Sequence, residues 1–288
     1  MTVKVVIVDV NKRIDPVLLH DAAVAINQQI QTDVPQYWPN VDASVSWTQS
    51  LSALKSSDWP VFLVKKLPPD EGGFHLEKNN QPFAKVIALP DDASWTIDAS
   101  HEIVEMLVDP AGNRTHPSVP IAIQGGGVSD APGRNFRYLV EACDPCEANE
   151  FGYEIGGILV SDFITPHYYD SEPTPNTMYS FKGHITRPRE LLKGGYISFI
   201  NSDGRWQQIL WVDAGPPVVK TLKMTGVHRS MREAVHTAMG KPMTRAKHEQ
   251  RRKKGGVPPE VQARLSAYAA RQSSIAEREQ ALRERYKL

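Results

Sequence analysis

Residues 95–113, WTIDASHEIVEMLVDPAGN, decide how the rest of the chain is read. At about 100° per residue, His101, Glu105, Asp98, Asp109 and Glu102 fall within about 100° of arc on a helix. Ile103, Val104, Met106, Leu107 and Val108 fill the remaining circumference, so a helix this apolar is expected to be buried on most sides. The bland reading of the polar wall is the wet face of an amphipathic helix. Such a face normally mixes signs through i,i+4 pairs. Here no Lys or Arg occurs between Lys85 and Arg114, while Asp91, Asp92, Asp98, Glu102, Glu105 and Asp109 do. Asp109 would also face the negative end of the helix dipole. An unpaired anionic wall holding one histidine invites a cation.

Upstream, residues 3–10 (VKVVIVDV) read as a buried strand, and Pro16 opens a helical pattern with Leu18, Leu19, Ala22, Ala25, Ile26 and Ile30 on one face. Residues 41–47 alternate as a half-buried strand does, and 61–64 and 84–89 are further short strands. A Gly/Pro/Asn-rich loop is expected over 68–82. The helix containing the polar wall is expected over 91–108, ended by Pro110. Residues 111–132 read as loop. Gly125-Gly126-Gly127 within them lacks the Lys-Ser/Thr sequel of a phosphate loop. Residues 157–160, 196–200 and 208–212 resemble strands between Gly and Pro breaks. The order strand, helix, strands, helix predicts an α+β or α/β layer with helices on a mixed sheet.

His101-Glu102-x-x-Glu105 keeps the spacing of the zinc-protease helix, in which i,i+4 puts two ligands on one face and the Glu acts as base, but with Glu105 in place of the second His. A second cluster, YLVEACDPCE over 138–147, carries Glu141, Asp144 and Cys146. His-Glu-Ile-x-Glu-(x)3-Asp-Pro followed by Glu-x-x-Asp-x-Cys resembles the phosphate-induced, EXORDIUM-type proteins and their bacterial and phage relatives, which look like degenerate zincins. The resemblance covers residues 101–151, with a looser Gly/aromatic tail to Trp211. It implies the α+β class, with a zincin-like mixed sheet and an active-site helix, and metal ligands His101, Glu105 and Glu141. Asp144 would orient His101 through its second ring nitrogen or ligate directly. Glu102 would be the general base toward the attacking water. It also implies that strand 84–89 is the edge that pairs with a peptide substrate. Zinc is the implied metal; a site with one His and several carboxylates also suits calcium or manganese.

The chain has 33 Lys+Arg and 33 Asp+Glu, yet residues 1–219 carry a net −11 and residues 220–288 a net +11. This predicts two parts: an acidic metal-binding domain over 1–219 and a basic, mostly helical interaction extension over 220–288. Arg245, Lys247, Arg251, Arg252, Lys253 and Lys254 form a basic run without interleaved aromatics, which favours protein partners or self-assembly over nucleic acid. Val261, Leu265, Tyr268, Gln272, Ile275, Glu279, Leu282 and Tyr286 follow a heptad register with two polar interruptions. No apolar run reaches a membrane span and no signal peptide is seen, so the expected location is cytoplasmic or assembly-associated. Cys143 and Cys146 cannot make a disulfide framework; a structural role or a local disulfide is expected. The remaining histidines are scattered, though His167, beside Tyr168 and Tyr169, could reach the site as a donor. Two functions follow. One is a metal-dependent hydrolase of the peptidase type, acting on a peptide or protein substrate. The other is a non-catalytic structural or assembly protein, such as a virion or appendage component, that keeps the fold.

Overall fold

The computed structural model describes residues 2–67, 72–90, 92–211 and 215–239, together with Ala263, Ser266, Ala267 and Ala270. Apart from those four positions, the predicted basic run and heptad stripe of 245–288 lie outside the described residues.

The chain is a mixed α+β protein. Strand β1 (Val3–Val8) is Val-rich because it is flanked by parallel partners on both sides, β2 (Ala43–Thr48) and β3 (Trp59–Val64). Helix α1 (Pro16–Gln28) connects β1 to β2. It starts at Asp15, whose Oδ1 accepts the Val17 and Leu18 amides at 2.6 and 3.4 Å. Its buried face is Leu18, Leu19, Ala22, Ala23, Ala25 and Ile26. Strand β5 (Gln81–Ile87) runs parallel to β3, and β4 (Gly73–Lys78) pairs antiparallel with β5 at the margin, giving the order β2-β1-β3-β5-β4.

Two expectations change here. The predicted loop 68–82 contains β4: Asn79 and Asn80, with φ of 57° and 62°, supply the two left-handed residues that a tight hairpin turn needs. The strand near 84–89 is consequently internal, and β4 forms the edge.

Helix α2 (Trp95–Val108) begins at Ser94 and has all of its residues buried. It packs against β4 and β5 on one side and the small hairpin β10 (Tyr153–Ile155)–β11 (Ile158–Val160) on another. Thr96 donates to the Leu159 carbonyl at 2.7 Å and Ser100 accepts the Ser161 amide at 2.7 Å.

A second, wholly antiparallel sheet follows. Its order is β14 (Val218–Thr221), β13 (Trp206–Leu210), β12 (Tyr196–Ile200), β9 (Phe136–Leu139) and β6 (Thr115–Ser118). The region 111–132 is therefore not loop. It also holds a hairpin, β7 (Ile121–Gln124) and β8 (Gly127–Asp130), turned by Gly125 and Gly126 at φ 59° and 81°. Gly125 and Gly126 supply the two positive φ values of this turn at no steric cost. Strand β14 runs across residue 219. The chain then forms α3 (Met231–Met239), which docks back on the body. No helix among the described residues is long and apolar enough to cross a membrane.

Candidate metal centre

The polar wall of α2 is not a wet face. His101, Glu102 and Glu105 are 4%, 5% and 1% exposed. The 3₁₀ turn Asp144–Cys146, in the loop after β9, faces them. That loop is fastened to the helix by its own backbone: the Cys143 amide donates to Glu105 Oε1 at 3.1 Å. From the far side, Gly195 presses on it so closely that an added Cβ would lie 2.5 Å from the Asp144 carbonyl and 2.7 Å from that of Pro145. Both neighbours are backbone and cannot rotate away. Gly195→Ala should therefore destabilise the protein by about 1–3 kcal/mol and displace Asp144. Thermal melts and metal titration of that variant check the expectation; an unchanged melting point would mean the loop yields freely.

His101 Nε2 lies 3.1 Å from Asp144 Oδ1 and 3.5 Å from Glu105 Oε2. Asp144 and Glu105 therefore face the same ring nitrogen of His101. His101 Nδ1 is buried without a hydrogen-bond partner among the described residues.

Glu102, expected as a base, meets a residue that sequence reasoning left among the scattered histidines. His75, on edge strand β4 and 5% exposed, sits with Nδ1 2.9 Å from Glu102 Oε2 and 3.7 Å from Glu105 Oε2. Gly73, two residues earlier, brings the same strand against Glu102: a Cβ there would be 3.0 Å from Oε1. The available signal was the alternation around His75 ahead of Asn79-Asn80.

The wall's cation is Arg232, from α3. Its Nη2 lies 3.0 Å from Glu105 Oε2, and its Nη1 2.6 Å from Glu141 Oε1 and 3.9 Å from Asp144 Oδ2. Of the predicted set His101, Glu105, Glu141 and Asp144, the three carboxylates converge on this guanidinium, and His101 faces two of them, Glu105 and Asp144.

Asp109 does not join it. Its carboxylate accepts the Asn113 and Arg114 amides at 3.2 and 2.7 Å, closing the turn after α2 and supplying the partner that a helix C-terminus demands of an acid. His167 is on the surface, bonded to Asp170 at 2.8 Å with its side chain 54% exposed. Cys143 and Cys146 are free and buried, and burial raises both thiols well above their usual range. They are packing groups, not a disulfide.

Burial acts against charge throughout, and the neighbours decide each outcome. For Glu105 burial is outweighed by Arg232 and then His101, which hold the carboxyl well below its ordinary range. Glu102 is lowered despite burial, through the His75 hydrogen bond and the His101 charge. For His101 burial opposes protonation, but Glu105 and Asp144 raise its pKa well above the ordinary value. Glu141 is pushed well up by burial and by Asp144, and Asp144 is raised by burial and Glu105.

Two buried groups in this region could hold a metal ion: His75, Glu102 and Glu105, and His101, Asp144 and Glu147. Within each, the donor atoms lie within 4.8 Å of one another. Glu147 closes the second cluster quoted from the sequence and was given no role there. No known family profile, curated protein or solved structure matches this chain.

Proposed function

We propose that the chain is a metal-dependent hydrolase of the peptidase type, built on a zincin-like arrangement with zinc as its metal. The observation that carries the reading is the burial, against one another, of His101, Glu102 and Glu105 from one helix and Asp144 from the facing loop. So many carboxylates beside a histidine are costly in a dry interior unless a cation compensates them. The donor set, nitrogen plus carboxylate oxygen, suits a divalent ion. The edge strand that the zincin resemblance calls for is supplied by β4 rather than β5.

His101, Glu105, Glu141 and Asp144 would hold the metal, which supplies Lewis acidity toward a scissile carbonyl. Glu102 takes a proton from the attacking water and returns it to the leaving amine. It is kept ionised for the first step by the His75 hydrogen bond to Oε2, which leaves Oε1 to accept. His75 thereby fixes the rotamer of the base. Metal analysis of the purified protein is the first test. Zinc should co-purify near one equivalent, and His101→Ala should lose it with little change in circular dichroism. Full retention of metal by that variant would remove His101 from the site.

A second reading rests on Arg232. A wall already compensated by a guanidinium needs no metal, which favours the non-catalytic assembly protein. It predicts no chelator-sensitive hydrolysis of any peptide, whether or not a metal is bound.

A further inference from the structure

We propose that helix α3 is a displaceable closure of the metal centre, with the Arg232 guanidinium standing in for the cation that the same carboxylates would otherwise bind. The inference rests on the metal-centre half of the reading above, not on hydrolysis.

Three observations support it. First, Arg232 engages Glu105 and Glu141, two of the four proposed ligands, and its Nη1 comes within 3.9 Å of a third, Asp144. Guanidinium and divalent ion would compete for the same oxygens, so the two occupancies exclude each other. Second, α3 bridges two elements that flank the site. Its first turn is tied to the loop after α2, through the Arg232 amide to the Gly112 carbonyl at 2.9 Å and the Met231 amide to Asn113 Oδ1 at 2.8 Å. Farther along, the His236 ring stands 5.2 Å from that of Phe74 on edge strand β4. The helix thus spans from the loop after α2 to the edge strand, and a peptide laid along β4 would meet it. Third, the apolar contacts of α3, with Met231 and Ala238 partly buried beside Val235, lie outside the main core. Val235 is the one fully buried apolar side chain that described α3 residues contribute, against Leu139 and Leu222 in a cluster separate from the main core. Release of 231–239 from these contacts should speed the exchange of their amides.

The test uses the full chain. Zinc affinity is measured by competition with a chromophoric chelator, and amide hydrogen exchange is followed over residues 231–239 with and without zinc. Wild type, Arg232→Met and Val235→Asn are compared. The second variant loosens α3 while keeping the guanidinium, and so guards against a misfolded first one. Zinc should speed exchange of 231–239 in the wild type. Both variants should bind zinc about 10–100-fold more tightly, because apparent affinity scales with the fraction of molecules that are open. Equal zinc affinity in all three proteins, with 231–239 protected throughout, would overturn the closure and leave the metal centre standing. No zinc binding even where exchange shows α3 released would sink the metal centre, and the closure with it.

Discussion

Glu102→Gln is expected to cut chelator-sensitive peptide hydrolysis by about 10²–10⁴-fold, the usual contribution of a positioned general base. Metal content should stay near the wild-type value. The substitution is close to isosteric, and the Gln carbonyl can still accept from His75 Nδ1, now at 2.9 Å from Glu102 Oε2. What disappears is a group able to hold the proton between attack and departure of the amine. The measurement is single-turnover hydrolysis of a peptide library, with metal determined on the same samples. Loss of metal in step with activity would make Glu102 a ligand, as the grouping of His75, Glu102 and Glu105 also allows. Wild-type protein that carries metal and cleaves no peptide would favour the assembly protein.

Much of this site is legible in the sequence because its parts are local. A helix repeats every few residues, so His101, Glu102 and Glu105 declare one wall without any knowledge of the fold. Glu141 and Asp144 are similarly close to each other, and a resemblance to a known motif joined the two clusters. The remaining partners depend on contacts that no local period encodes. His75 reaches Glu102 only because β4 folds back on β5 through Asn79-Asn80, a turn set by two positive φ values. A stretch rich in Gly, Pro and Asn reads as loop until that turn is recognised. Arg232 is farther still, 91 positions from Glu141. The sequence did signal that a cation was missing between Lys85 and Arg114, but nothing local says which distant one arrives.

The sheets divide along the same line. The Val-rich β1 and the capped α1 are readable from composition and period. The antiparallel strands around 111–139 are short, four residues each, and interrupted by Pro and Gly. Their identity comes from cross-strand pairing rather than from their own pattern.

Removing the guanidinium weighs these contacts directly. In metal-free protein, Arg232→Met leaves Glu105 and Glu141 without their cation, and stranding a member of a buried pair ordinarily costs about 3–5 kcal/mol. A displaceable α3 sets a lower ceiling. Once the helix can leave, water reaches the carboxylates, and the loss cannot exceed the free energy of docking itself. A 10–100-fold closure corresponds to about 1.4–2.7 kcal/mol, so the loss in urea unfolding should fall in that range. Zinc should then erase the difference. In saturating metal both proteins have α3 released and the same ligands filled, so their unfolding free energies should converge. At a fixed lower concentration the variant should gain more stability per zinc added, since no internal cation has to be expelled. A loss of about 3–5 kcal/mol that persists in saturating zinc would make Arg232 a permanent part of the interior, and would turn the argument toward a wall that was never meant to hold a metal.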